Sequence, residues 1–230
     1  MRHLLRVYEV DLDGADGQRM IALATESRKP GWWQSYRDVL PDWFQPYLGL
    51  EAAASSVNEY APELVPGLLQ TDDYYRAYML AAPAAADADE IERKLAVRRQ
   101  RQERLMADGG PEVWAVLNEA VTRREVGGPD VMRGQFAQLL KLSDRPNITV
   151  QVLQFRSGAH PAMDGGFITL GFSAQQYNDV VYLESQTSSA ILETAPETDR
   201  YRAMFARLAA AALGPADSRS MIAEAAKRDG

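Results

Sequence analysis

The chain of 230 residues contains no cysteine, which excludes a disulfide framework, a thiolate metal site and a cysteine nucleophile. Histidine is almost as scarce: His3 and His160 are the only two and lie far apart, so a histidine-rich metal site is excluded as well. No run of about twenty apolar residues could cross a bilayer. The apolar run in the leading MRHLLRVYEVDLDG is too short for a signal peptide. The expected location is therefore the cytoplasm, without membrane contact. Positive charge is in deficit, with a formal net charge of −7, whereas non-specific nucleic-acid binding needs clustered cations that neutralise phosphates. Any DNA contact is expected to be local or to come from another module. The sequence has no GxGxxG after a strand, no P-loop, no HExxH and no GxSxG. No cofactor or metal is expected, and an enzyme is the less favoured reading.

What is present is ordinary globular material, since 46% hydrophobic and 25% charged residues argue against wholesale disorder. The length suits one sizeable core, or one domain with a helical appendage. Met20, Ile21, Leu23 and Ala24 lie on one helical face that Pro30 and Gly31 stop. Trp43, Phe44, Tyr47, Leu48 and Leu50 follow at mixed helical spacing, with Pro41 placed for a helix start. An extended piece around Val57 to Tyr60 precedes two prolines, Pro62 and Pro66, and a helix capped near Thr71. DADEIERKLAVRRQRQERLM reads as a long charged helix with Glu90 and Lys94 at i,i+4 spacing.

From there the pattern shifts toward strands. EVWAVLNEAVTR reads as a strand, GGPDVMRGQFAQLLKLSDRPN as a helix started by Pro129, and ITVQVLQF as a strand of strict alternation. GGFITLGF, DVVYLES and SSAILET are short β-rich runs in close succession, which predicts an antiparallel meander. A helix with Tyr201, Met204, Phe205 and Leu208 on one face and a tail helix in PADSRSMIAEAAKR close the chain. The expected fold is α+β, with a mostly antiparallel sheet from the C-terminal half covered by helices and a helical N-terminal connector.

Several ordered blocks, YLGLEAAASSVNEYAPELVPGLLQTDDYYRAYM, LNEAVTRREVGGPDVMRGQFAQLLKL, PNITVQVLQFRSGAHPAMDGGFITLGF and DVVYLES, resemble the actinobacterial domain of unknown function DUF5753. The likeness runs from about Asp42 to Leu213. It implies a domain that stands behind an Xre-type helix-turn-helix in transcriptional regulators, often encoded beside a small partner protein. The leading LLRVYEVDLDGADGQRMIALATESRKPGWWQSY is similar to the end of that region, without its recognition helix. The implied organisation is a connector over 1–41, a remnant of a DNA-binding module, and a sensing or interaction domain over 42–230. DNA contact would then require a missing N-terminal module, and a homodimer fits the symmetric reading of half-sites.

Four groups of residues are candidates for function. His160 and Asp164, in the loop RSGAHPAMDGGF, offer a titratable pair with glycines that permit close backbone approach, or else they serve a turn. Glu119 and Glu184, read as strand positions, are candidate catalytic carboxylates if the protein acts on a nucleotide-type glycosidic bond. Tyr182 shares a strand face with Glu184. Ordinary solvent-facing glutamates would look the same. Arg98, Arg101 and Arg104 form a drifting helical stripe able to hold a phosphate or carboxylate, or a solvated face balanced by neighbouring glutamates. Gln70, Tyr74 and Arg76, behind the stiff YAPELVPGLLQ segment, could line a pocket or make a structural junction. The expected function is an effector- or partner-binding domain of a cytoplasmic transcriptional regulator, its partner a small molecule or a small acidic protein. The alternatives are the glycosidic-bond enzyme and a pure interaction module. An effector pocket is expected to unite His160 with Tyr74 or Arg98.

Overall fold

A computed structural model describes residues 31–81, 87–173 and 179–228. The chain divides into two compact units, Met1–Asp38 and Val39–Gly230. The helix expected around Met20 to Ala24 and most of the alanine-rich linker lie outside the described residues. In the first unit, Trp32–Tyr36 forms a short 3-10 turn in which Trp32 meets Trp33 and Tyr36 edge-on.

The second unit is built on a six-stranded sheet. Its elements in chain order are α1 (Gln45–Ala53), β1 (Ser56–Ala61), α2 (Asp72–Leu80), α3 (Ala88–Met106), β2 (Glu112–Asn118), α4 (Pro129–Leu142), β3 (Ile148–Leu153), β4 (Phe167–Gly171), β5 (Val180–Glu184), β6 (Ser189–Leu192), α5 (Ala195–Ala211) and α6 (Pro215–Arg228). Strand order is β3-β2-β1-β4-β5-β6. The β4-β5-β6 meander is antiparallel as the closely spaced runs predict, and β4 also pairs antiparallel with β1. The pairs β1-β2 and β2-β3 are parallel, so three of five pairings are antiparallel and the fold class is α+β. One expectation needs correcting: the sheet does not come only from the C-terminal half, because β1 lies at its centre. The parallel pairs follow from the intervening helices, since parallel neighbours need a crossover that α2–α3 and α4 supply.

Local signals account for most element ends. Thr71 caps α2 through its hydroxyl, which accepts from the Tyr74 N–H at 3.3 Å, and Asp87 caps α3 by accepting from Glu90 N–H at 2.8 Å. Pro129 starts α4 at its first turn. Pro41 does not start α1, which begins at Gln45 with Pro46 in the first turn. Glu119 is not on a strand either. β2 stops at Asn118, whose side chain accepts from Ala120 N–H at 2.9 Å and turns the chain into a 3-10 segment, Glu119–Thr122.

Strand alternation divides the interior in two. Val57, Val113, Ala115, Leu117, Val150, Leu170 and Tyr182 face the core shared with α1, α2, α3, α4 and α6. Tyr60, Val116, Leu153, Phe167 and Val181 face the opposite way, under Phe205 and Leu208 of α5. The free edge of β3 is closed by the chain beyond α5: Leu213 N–H donates to Val152 O at 2.9 Å, and Val152 N–H donates to the Ser218 hydroxyl at 2.9 Å.

Gln135 on α4 ties the helix layer together. It is fully buried, its Oε1 accepts from Thr71 N–H at 2.7 Å, and its Nε2 donates to Leu69 O at 2.8 Å. Gln135→Leu is expected to destabilise the protein by about 2 kcal/mol, measured by urea unfolding, because two buried backbone groups lose their partner.

Candidate functional site

Arg98 and Arg101 do not project into solvent. They point from α3 toward the sheet, in the same helical phase as the buried Ile91, Leu95 and Leu105. Arg101 donates from Nε and Nη2 to the two carboxylate oxygens of Glu51 on α1, each at 2.7 Å, and both side chains are buried. Tyr47, one turn earlier on α1, donates its hydroxyl to Glu51 at 2.6 Å. Burial opposes the charge on Glu51, yet Arg101 and these hydrogen bonds hold its pKa below the ordinary value. The Arg101 guanidinium also stands 5.6 Å from the ring centres of both Phe44 and Tyr47, and Tyr47 stacks on Tyr182 of β5 at 4.2 Å.

Arg98 is only partly satisfied. Its Nη1 donates to Gly67 O at 2.8 Å and its guanidinium lies 4.1 Å over the Tyr75 ring, but its buried Nε has no partner among the described residues. Burial, with Arg101 nearby, lowers its pKa to about 10. Gly67 makes this approach possible, because a Cβ there would stand 2.7 Å from Nη1 of Arg98.

Glu59 completes the cluster from below. It alternates with Val57 and Ala61 on the helix-covered face of β1, where apolar residues are the rule. Its sheet neighbours in register are Ala115 on one side and Ile168 on the other, and Ile168 pairs in turn with Tyr182. Its carboxylate makes no hydrogen bond and no ion pair among the described residues. Burial raises its pKa to about 8 against the pull of Arg101, and Glu51 and Glu184 add to the rise. The Tyr182 hydroxyl is likewise buried without a completed hydrogen bond, although Glu184 and Ser189 are close enough to perturb it. Glu184 stands two residues further along the same face of β5, exposed at the strand end, and loss of hydration raises its pKa as well.

Glu59 and Ile168 retain accessible surface, whereas the next row on this face, Val57, Leu170 and Val180, is sealed. The sheet face therefore opens at Glu59 and Ile168, while Ala115 and Tyr182 in the same row stay sealed. Around that opening stand Arg98, Arg101, Tyr182 and Glu184, four of the residues singled out in the sequence. Glu51, Glu59 and Tyr47 were not among them.

The remaining candidates lie elsewhere. Arg76 pairs on the surface with Asp73 and Glu92, and Arg104 donates to Ala54 O. Tyr74 is buried with its hydroxyl accepting from Val65 N–H. Gln70 donates to Val65 O at 2.6 Å, and its Oε1 is buried without a partner among the described residues. His160 is not united with Tyr74 or Arg98, because Tyr60, its partner, points to the α5 side of the sheet. His160 Nδ1 accepts from Ala162 N–H at 3.3 Å, so its Nε2 carries the proton toward the Tyr60 hydroxyl at 3.2 Å, to which Asn118 also donates. Burial lowers the His160 pKa. Asp164 is exposed in the same loop. Glu119 accepts from Phe155 N–H at 2.7 Å and from Arg123 at 2.6 Å, and with Asp217, Met221 and Glu224 it lines a separate groove of about 340 Å³. Strands β1 and β4 separate β2 from β5, roughly 14 Å at the usual strand spacing. Glu119 and Glu184 are thus not placed as a carboxylate pair across one glycosidic bond.

Compared with known families, residues 44–224 match the family model described as "Domain of unknown function (DUF5753)". The chain belongs to the DUF5753 family. No curated protein and no solved structure matches it. In this DUF5753 domain the matched range holds every residue of the cluster, from Tyr47 to Glu184. Among the described residues, no helix is long and apolar enough to cross a membrane and no group of three or more His, Cys, Asp or Glu side chains could hold a metal ion.

Proposed function

We propose that this DUF5753 domain is the effector-binding part of a cytoplasmic transcriptional regulator and makes no DNA contact of its own. The observation that carries this reading is the polar cluster under α1 and α3 that is incompletely partnered among the described residues: the Glu59 carboxylate, the Tyr182 hydroxyl and the Arg98 Nε–H. Buried polar groups without partners cost stability. A ligand that supplies the missing partners recovers that cost on binding, so such a cluster favours a ligand site over a purely structural core. The regulatory half of the proposal rests on the resemblance to domains that accompany helix-turn-helix modules and on the net negative charge. α1 opens the second unit in chain order and contributes Tyr47 and Glu51. A ligand with different affinity for two positions of α1 would shift their populations.

The test is native mass spectrometry of the purified chain after incubation with the small-molecule fraction of a cell extract. A bound mass whose occupancy falls in Tyr182→Phe, while the variant keeps its circular dichroism spectrum, is the expected result. A chain that stays unliganded, or a ligand indifferent to Tyr182, would remove the basis for the reading. A second reading, a module for a small acidic partner protein, is favoured by one observation. Phe155 and Met163 are exposed, at 56% and 67%, in the loop region that also carries Arg156, and the Arg123 guanidinium lies 5.9 Å from the Phe155 ring centre. Co-purification with such a partner, abolished by Phe155→Ser with Met163→Ser, would support it.

A further inference from the structure

With all its carboxylates ionised, the opening carries more negative than positive charge. Glu51, Glu59 and Glu184 supply three carboxylates, against the two guanidinium groups of Arg98 and Arg101 that face them from α3. Arg101 has both Nε and Nη2 on Glu51, and Arg98 is held by Gly67 O and the Tyr75 ring. The cations are therefore largely engaged within the protein, while Glu59 and Glu184 form no ion pair among the described residues. The neighbouring surface is apolar, with accessible parts of Ile168 and Ile191 in register on either side of Tyr182. Tyr182, 1% exposed, adds a hydroxyl without a completed hydrogen bond among the described residues, on the same strand face as Glu184.

We propose that the opening over β1, β4 and β5 binds an organic cation, a primary amine or guanidinium whose charge lies between Glu59 and Glu184 and whose N–H meets the Tyr182 hydroxyl. An anion is disfavoured because the two cations it would need are already engaged, Arg101 by Glu51 and Arg98 by Gly67 O and the Tyr75 ring. This inference names the ligand class for the effector site and rests on that reading. In the empty site a proton stands in for the missing cation: Glu59, with its pKa near 8, is carboxylic acid at pH 7. Binding then exchanges the two, the Glu59 carboxyl giving up its proton to solvent as its carboxylate pairs with the ligand's ammonium or guanidinium. The groups facing Glu59 that set this exchange are Glu51 from α1, Arg98 and Arg101 from α3, and Glu184 from β5. Affinity is therefore expected to rise by up to about tenfold per pH unit below pH 8 and to level off above it, provided the ligand stays charged.

The experiment uses the full chain and a panel of millimolar probes of three charge classes: agmatine and benzylamine, benzoate and inorganic phosphate, and benzyl alcohol. Thermal unfolding reports binding, and calorimetry at pH 7 in two buffers of different ionisation enthalpy counts protons. The expected result is stabilisation by the two cations alone, with release approaching one proton per site, and loss of both signals in Glu59→Gln. Tyr182→Phe should weaken binding several-fold, and unfolding of each unliganded variant confirms that it folds. Stabilisation by benzoate, phosphate or benzyl alcohol but by neither amine would overturn the ligand class and leave the effector reading standing. No stabilisation by any class would count against both. Amine binding without proton release, or unchanged in Glu59→Gln, would place the amine elsewhere and overturn the proposal.

Discussion

Arg101→Met is expected to destabilise the protein by about 3–5 kcal/mol, more than any other single change at the cluster. The reason is what the substitution leaves behind. Glu51 would keep its charge in a buried position with only the Tyr47 hydroxyl as partner, and the Phe44 and Tyr47 rings would lose the guanidinium beside them. A charge stranded in a low-dielectric interior costs far more than the pair gains over apolar residues of similar volume. Glu51→Met combined with Arg101→Met should therefore recover most of the loss, and the double-mutant cycle should give a coupling energy well above the 1 kcal/mol typical of exposed pairs. Urea unfolding of the four proteins measures it. A loss under 1 kcal/mol for Arg101→Met would mean that Glu51 is far better solvated than its surroundings indicate.

The second large effect is a dependence of stability on pH. Glu59 has its folded pKa raised from the ordinary 4.5 to about 8, so between these values the folded chain binds a proton that the unfolded chain releases. Stability contributed by this group is thus full below pH 4.5 and lost as pH rises, at a slope approaching 1.4 kcal/mol per pH unit where the two states differ by a whole proton. Glutamine imitates the protonated acid and does not titrate. Glu59→Gln is expected to match the wild type near pH 4.5 and to exceed it increasingly up to pH 8, with a melting temperature higher by several degrees at pH 8. Melting curves across pH 4.5–9 check this. A variant that runs parallel to the wild type over that range would show that Glu59 titrates normally. The two predictions are coupled, since Arg101 is the largest influence that opposes the Glu59 shift, and loss of Arg101 should push the Glu59 pKa further up.

The elements most legible in the sequence were those with an unambiguous period or a cap. The meander of β4, β5 and β6 follows from three short runs a turn apart, and α3, α4, α5 and α6 from apolar stripes and Thr, Asp or Pro starts. The place of β1 was not legible. Its partners, β2 and β4, lie 50 and more residues downstream, and nothing within SVNEYA says which strands will flank it. The faces were harder still. Residue type alone groups His160 with Arg98, since both are polar and able to hold a ligand. Yet Tyr60, which holds His160, is the residue after Glu59, and adjacent residues on a strand point to opposite sides of the sheet.

The buried charges did leave a signal. Arg98 and Arg101 continue the spacing of Ile91, Leu95 and Leu105, the apolar phase of α3. Glu59 likewise holds the inward phase between Val57 and Ala61. A charged residue in an apolar phase on two separate elements marks a place where those elements meet through charge. Spacing alone presents Arg98, Arg101 and Arg104 as one stripe, whereas its members reach three different partners.

The closing of β3 by Leu213 and Ser218 has a consequence for how the chain is cut. A strand with free N–H and C=O groups along its margin is a template for any passing extended segment. The residues that occupy the Val152 groups come more than 60 positions later, at the junction of α5 and α6. The segment from Leu213 through Ser218 therefore acts as a sealing strip for a sheet whose last strand ends at Leu192. A fragment that stops short of that junction would keep every strand and still present a sticky margin.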